Sequence, residues 1–267
     1  MLKKISALML SLCIAFAFSG CKASSKDEAV SGTPEEIVTG YYNCLINENY
    51  ATAYEKYLSQ ISKALETKEQ FELRMSQNAF LDEKKLKDVY VNDADLVTGT
   101  DDVIYKISGI LKYDLNGKEI TEDFYEYVIT QKKTGFNRIL INGALSAKPY
   151  EMSGDKKTLH AESVVIYNTV EGKRAELKMT NNDYAYYSIG KESVPPMLEV
   201  VSDGKTYAYK LSSYYVVEPG KTAVIVGEYK GLSGDVSKIV LSCIYPVGQD
   251  RKPVESDNGR IYSLTLE

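Results

Sequence analysis

Few side chains in this 267-residue sequence are equipped for acid–base or metal chemistry near neutral pH: there is one histidine, His160, and there are four cysteines. A single imidazole excludes sites built on two or more histidines, which covers many zinc hydrolases and copper centres. No Cys-x-x-Cys or cysteine–histidine cluster occurs, so neither a metal nor any other cofactor is expected. His160 stands alone near a predicted strand start and reads as a surface residue. The carboxylates that could work as a pair are Glu122 and Glu126, which flank Phe124. Their role depends on how the preceding hairpin closes. A two-residue turn at Asn116-Gly117 sets Leu111 opposite Glu122 and Ile107 opposite Glu126, and both acids then become pocket acids with raised pKa. A three-residue turn with a bulge at Gly117 sets Lys106 opposite Glu126 and Ile107 opposite Tyr125. The second register pairs opposite charges outside and stacks tyrosines inside. It is the expected one, and it leaves the acids without a catalytic role.

Three short motifs imitate an enzyme. Ser188-Ile189-Gly190-Lys191, Ser256-Asp257-Asn258 and Lys133-Thr134-Gly135 match the signatures of serine β-lactamases and penicillin-binding proteins. That chemistry needs the serine at a helix start with its lysine one turn away. Here Ser188 falls in a β-rich run, and the Lys-Thr-Gly comes first in the chain instead of last. Glu218-Pro219-Gly220-Lys221-Thr222 ends like a phosphate-binding loop, but Tyr215 occupies the earlier glycine position, so a Pro-Gly turn is expected. Asp93-Ala94-Asp95 starts like a calcium loop, yet Val97 and Ile104 stand where oxygen ligands belong, and it reads as a solvated turn. The sequence is therefore expected to be non-enzymatic.

The N-terminus carries an address. Positive residues up to Lys4 precede an apolar run from Ile5 to Phe18, too short to span a bilayer comfortably but suited to a signal peptide. Phe18-Ser19-Gly20-Cys21, followed by a polar stretch from Lys22, resembles the bacterial lipobox, although Phe18 replaces the usual leucine. The resemblance implies cleavage before Cys21 and acylation of its sulfur, which gives a stable anchor. Ordinary secretion, with Ala15-Phe16-Ala17 as the cleavage site, is the alternative. Residues 21–32 lack an apolar period and read as a flexible tether. With Cys13 in the signal and Cys21 acylated, Cys44 and Cys243 remain, and two buried free thiols are expected in preference to a disulfide.

The rest divides by period. Thr33-Pro34-Glu35-Glu36 is a capping box opening a helix with Ile37, Tyr41, Cys44 and Leu45 on one face. A second helix is predicted from the stripe Ala51, Tyr54, Leu58, Ile61 and Leu65, and a third opens at the box Thr67-Lys68-Glu69-Gln70 with Phe71 and Met75 inward. After Leu86 the period becomes two, giving a meander that runs to Asn142. Pro34 to Val38 through Tyr41-Tyr42, then Asn49 to Tyr54 and the later meander, resemble the nuclear-transport-factor-two-like superfamily, a domain that many bacterial lipoproteins carry close behind the anchor. That resemblance implies an α+β cystatin-like cone over 33–146, with helices on an antiparallel sheet, and its enzymes use an inward acid, histidine or tyrosine. A linker is expected at 147–157, followed over 158–267 by short β runs separated by turn pairs, which read as an all-β immunoglobulin-like sandwich.

Composition narrows the class. The chain is 26% charged and 44% hydrophobic, within the globular range, and its net charge of −5 gives no support for nucleic-acid binding. The 22 tyrosines, without a tryptophan, suit half-buried strands better than a sticky surface. The expected protein is a non-catalytic module on the outer face of the bacterial cytoplasmic membrane. It is held in the bilayer by acylated Cys21 and meets an envelope protein or glycan. A ligand-binding or enzymatic pocket in the cone and a structural spacer are the alternatives.

Overall fold

A computed structural model describes residues 30–81, 84–97, 102–152, 158–248, 252–254 and 259–266. It corrects the expected fold class. Strand accounts for 56% of the described residues and helix for only 19%, so this is a mostly β protein and not an α+β cone followed by an immunoglobulin-like sandwich. Helix α1 (Pro34–Ile46) starts at the predicted capping box, where Thr33 N donates to Glu36 Oε2 at 2.8 Å and Glu36 N donates to Thr33 Oγ1 at 3.3 Å. It buries Ile37, Val38, Tyr41, Tyr42 and Cys44. The predicted second helix is broken into α2 (Tyr50–Thr52), a π-turn (Ala53–Tyr57) and α3 (Gln60–Leu65). Leu58 turns extended between them and bridges Ile139, because burying its side chain in the core outweighs helix continuity. Ser59 then caps α3, and α4 (Lys68–Leu81) follows with Phe71 fully buried. Of the helical pieces among the described residues, only α1 and α4 exceed six residues.

Strands β1 (Lys84–Val97), β2 (Ile104–Leu115), β3 (Lys118–Thr130) and β4 (Asn137–Leu140) form an antiparallel meander in that order. Asn116 and Gly117, with φ of 53° and 83°, make the two-residue turn between β2 and β3. Leu111 therefore faces Glu122, Gly109 faces Phe124 and Ile107 faces Glu126. The bulged register expected from local pairing is overturned. Its premise was that Lys106 and Glu126 need each other, and both find partners elsewhere in the fold. Gly109 serves this register directly, since a Cβ there would lie 2.1 Å from Tyr90 O and 2.7 Å from the Phe124 ring. Asp93-Ala94-Asp95 belongs to β1, just past an irregularity between Val91 and Asp93, and is not the expected turn.

After β4 the chain crosses to a second sheet through a 3₁₀ turn (Ile141–Gly143), where Asn142 is left-handed at φ 53° and ψ 22°. Strands β5 (Ala144–Glu151), β6 (Leu159–Thr169) and β7 (Gly172–Asn181) continue as neighbours. The first part of the expected linker 147–157 is thus strand, pairing Ala147 with Tyr167 and Tyr150 with Val164; residues 153–157 lie outside the described residues. Then come β8 (Tyr187–Ile189), β9 (Met197–Ser202), β10 (Lys205–Lys210), β11 (Tyr215–Val217), β12 (Thr222–Lys230), β13 (Val236–Pro246) and β14 (Arg260–Thr265). Strand β12 joins the second sheet beside β7. The others form a third sheet ordered β10-β9-β13-β8-β11, with β14 also on β13. Residues from the second and third sheets share one core, including Leu177 and Ile225 from one and Leu198 and Ile239 from the other.

The first sheet and the second are tied together. Ile104, Tyr127, Ile129 and Leu140 form a small cluster against which Leu145 and Val170 pack. Beside it Glu171, in the turn from β6 to β7, accepts from Tyr127 Oη, from Lys106 Nζ at 2.6 Å and from Lys230 Nζ, 3.0 Å away. Those donors, Lys106 first, pull the Glu171 carboxyl down to about 2.

Candidate ligand-binding cleft

Two adjoining cavities open where the helices and the first sheet meet the second sheet. The larger, about 500 Å³, is bounded by Glu66 at the end of α3, Gln70 and Arg74 of α4, the crossover Ile141–Ala144, and Tyr167, Arg174 and Glu176 of β6 and β7. The smaller, about 150 Å³, lies between Glu126, Tyr127 and the β7–β12 edge with Glu228 and Lys230. Asn142 and Arg174 line both. The left-handed backbone at Asn142 sharpens the crossover, and asparagine is one of the few residues besides glycine that accepts that conformation readily.

The charges here come in locked pairs. Arg74 Nε donates to Glu66 Oε1 at 2.8 Å and its Nη2 to Glu66 Oε2 at 2.7 Å, a two-pronged bond that holds the guanidinium more firmly in its charged form. Across the opening, Arg174 Nε and Nη2 donate to Glu176 Oε1 at 3.0 and 2.8 Å, and its Nη1 stands 3.6 Å from Glu228. Tyr167 Oη donates to the other Glu176 oxygen at 3.2 Å, and burial followed by that carboxylate pushes the phenol up to about 12. Glu176 also acts electrostatically on Arg74 from the far wall. By contrast, the Asn142 side chain is exposed and makes no hydrogen bond among the described residues.

Glu126 forms a second feature. Tyr42 Oη, reaching from α1, donates to its Oε1 at 2.8 Å, and the Tyr42 ring packs edge-on against Phe124 at 5.0 Å. Burial pushes the Glu126 carboxyl up to about 7, opposed by the Tyr42 hydrogen bond and by the Arg74 charge. Burial and the adjacent carboxylate drive the Tyr42 phenol far above its ordinary range.

The two acids singled out in the sequence part company. Glu126 faces the cavity, while Glu122 is exposed and bridges Lys84 at 2.6 Å. His160 is not on the surface: it is buried in β6, with Nδ1 3.0 Å from Thr158 O. Cys44 is buried and Cys243 half-buried, and no disulfide joins them. Ser188 is buried in β8 and donates to Gly190 O at 2.7 Å, which occupies its hydroxyl, and Lys191 Nζ sits 4.6 Å from the centre of the Tyr245 ring. Ser256-Asp257-Asn258 and the anchor at Cys21 lie outside the described residues. Among tyrosines adjacent in the sequence, Tyr41 and Tyr42 are both buried, whereas Tyr214 and Tyr215 are exposed. Among the described residues no three His, Cys, Asp or Glu side chains are grouped to hold a metal ion. Among them, too, no helix is long and apolar enough to cross a membrane.

The arginine–glutamate pairs of the cleft were not read from the sequence. One signal was present: Asn142-Gly143 is a turn dipeptide at the end of a predicted strand, and it marks the crossover that lines both cavities. No protein-family model matches the chain, and no curated protein is similar to it.

Proposed function

We propose that this chain is a lipid-anchored, extracytoplasmic binding protein of the cell envelope that holds its ligand in the cleft between the helices and the second sheet. The observation that carries the binding reading is the cleft itself. Its volume of about 500 Å³ falls in the range of small-ligand sites, and its ionic groups are already fixed in geometry by partners within the wall. Rigid, pre-paired groups suit recognition, because little side-chain freedom remains to be lost on binding. The lipobox-like segment ending at Cys21 supports the anchor. A photo-crosslinking residue at Gln70, on the cleft wall, is expected to trap an envelope component in intact cells that the same group at exposed Lys205 does not. Equal trapping from both positions, or none from Gln70, contradicts the reading. For the anchor, Cys21→Ala is expected to release the protein into the medium, and unchanged membrane retention counts against lipidation.

A catalytic reading has one observation in its favour. Glu126, hydrogen-bonded by Tyr42 and set on a cavity wall, is placed as an acid–base carboxyl would be. The sequence's candidate nucleophile and imidazole are not beside it, since Ser188 is committed to Gly190 O and His160 is buried in β6. We therefore place Glu126 in the wall of a binding site.

A further inference from the structure

We infer that the ligand of this cleft is neutral and rich in hydroxyl groups, that is, a short stretch of carbohydrate. The inference rests on the binding reading above and names the chemistry of its ligand. It follows from how the polar groups are committed. Both guanidiniums of the larger cavity are held by carboxylates of the same wall, Arg74 by Glu66 and Arg174 by Glu176, so the lining is formally neutral. A ligand carboxylate, phosphate or ammonium would add a charge that this formally neutral, half-buried lining does not compensate. A sugar hydroxyl adds no charge. It both donates and accepts, so it can take an N–H at the rim of an arginine–glutamate pair and return its own proton to the carboxylate.

Uncommitted capacity points the same way. Arg74 Nη1 carries no hydrogen bond among the described residues, and neither Oδ1 nor Nδ2 of the Asn142 amide is used there. Gln70 spends its Oε1 on Thr67 N at 2.9 Å, which leaves its amide N–H groups as donors. Side-chain amides offer a donor and an acceptor side by side, as a pair of adjacent hydroxyls requires. Leu65, Ile141 and Ala144 line the same cavity and supply apolar surface for the C–H face of a sugar ring.

The test is calorimetric titration of the purified full-length protein with neutral trisaccharides (chitotriose, maltotriose and cellotriose). Trigalacturonate and the zwitterionic dipeptide Ala-Ala serve as charged comparators. At least one neutral trisaccharide is expected to bind, with an affinity that changes less than about twofold between low and high salt, because no net charge is exchanged. Asn142→Gly removes the amide while keeping a residue suited to positive φ, and is expected to weaken that binding about tenfold, the scale of a pair of lost hydrogen bonds. Gln70→Ala, on an exposed helix face, is expected to act in the same direction. If Ala-Ala binds instead and Asn142→Gly weakens it, the cleft remains a binding site and the carbohydrate assignment falls; if trigalacturonate binds instead, the assignment of a neutral ligand falls. If no probe responds to Asn142→Gly, the carbohydrate assignment falls as well. The Gln70 crosslink then decides separately whether the cleft binds anything.

Discussion

At the scale of single residues, Glu126 shows why local pairing rules misjudged the hairpin. Opposite charges on adjacent strands argued for Lys106 across from Glu126, but a residue's best partner need not be its neighbour. Lys106 reaches Glu171 from another sheet, and Glu126 meets Tyr42 from α1. The consequence is a carboxyl whose folded pKa, about 7, stands above its unfolded value. The folded state therefore binds the extra proton between roughly pH 4.5 and 7, and stability falls as pH rises through that window. Glu126→Gln is expected to remove this dependence and to be the more stable protein above pH 7, by an amount on the order of 3 kcal/mol. Urea unfolding across the pH range checks this, and parallel pH profiles for the two proteins would contradict it.

At the scale of elements, what was legible was the ends of the helices and the period of the strands. The capping boxes at Thr33 and Thr67 are both made, and Phe71 points inward as its spacing requires. What was not legible was the interruption at Leu58. A stripe of apolar residues at helical spacing says which side chains are buried, and Leu58 is buried, but the stripe does not say that the backbone beneath must open to pair with Ile139. The seam is closed by serines: Ser62 Oγ donates to Ile139 O at 3.2 Å and accepts from Ile141 N at 3.0 Å, and Ser59 Oγ donates to Ser62 Oγ at 3.0 Å. Ser62→Ala strands the half-buried amide of Ile141 and is expected to cost about 1–2 kcal/mol. It should also speed hydrogen exchange at Ile141, on the floor of the cleft, and unchanged exchange there would argue that the seam does not hold the crossover.

At the scale of the whole molecule, the cleft and the Glu171 contacts were beyond the reach of a sequence because they join distant segments. Arg74 and Arg174 are half-buried, and nothing in their spacing along the sequence brings α4 to β7. Glu171 is the clearest link between the first and second sheets, with donors from β2, β3 and β12. Its folded pKa, about 2, lies below the unfolded value, so its contribution is present above roughly pH 4.5 and is lost as pH falls toward 2. Glu171→Gln is expected to cost about 2 kcal/mol at pH 7, with the difference from the parent vanishing in strong acid. Thermal unfolding at pH 7 and pH 3 measures this, and an equal deficit at both would show that the carboxylate charge is not what joins the sheets. Glu126 and Glu171 pull in opposite directions on either side of pH 4.5, so together they favour greatest stability in mild acid.

The cleft as a ligand site is most directly tested by hydrogen–deuterium exchange of the purified full-length chain, with and without neutral saccharides released from the producing cell's envelope. Slowed exchange is predicted at the crossover Ile141–Ala144 and along α4 near Arg74, with none at the exposed edge strand Tyr215–Val217. Protection confined to that edge, or no protection at the crossover, would contradict the account.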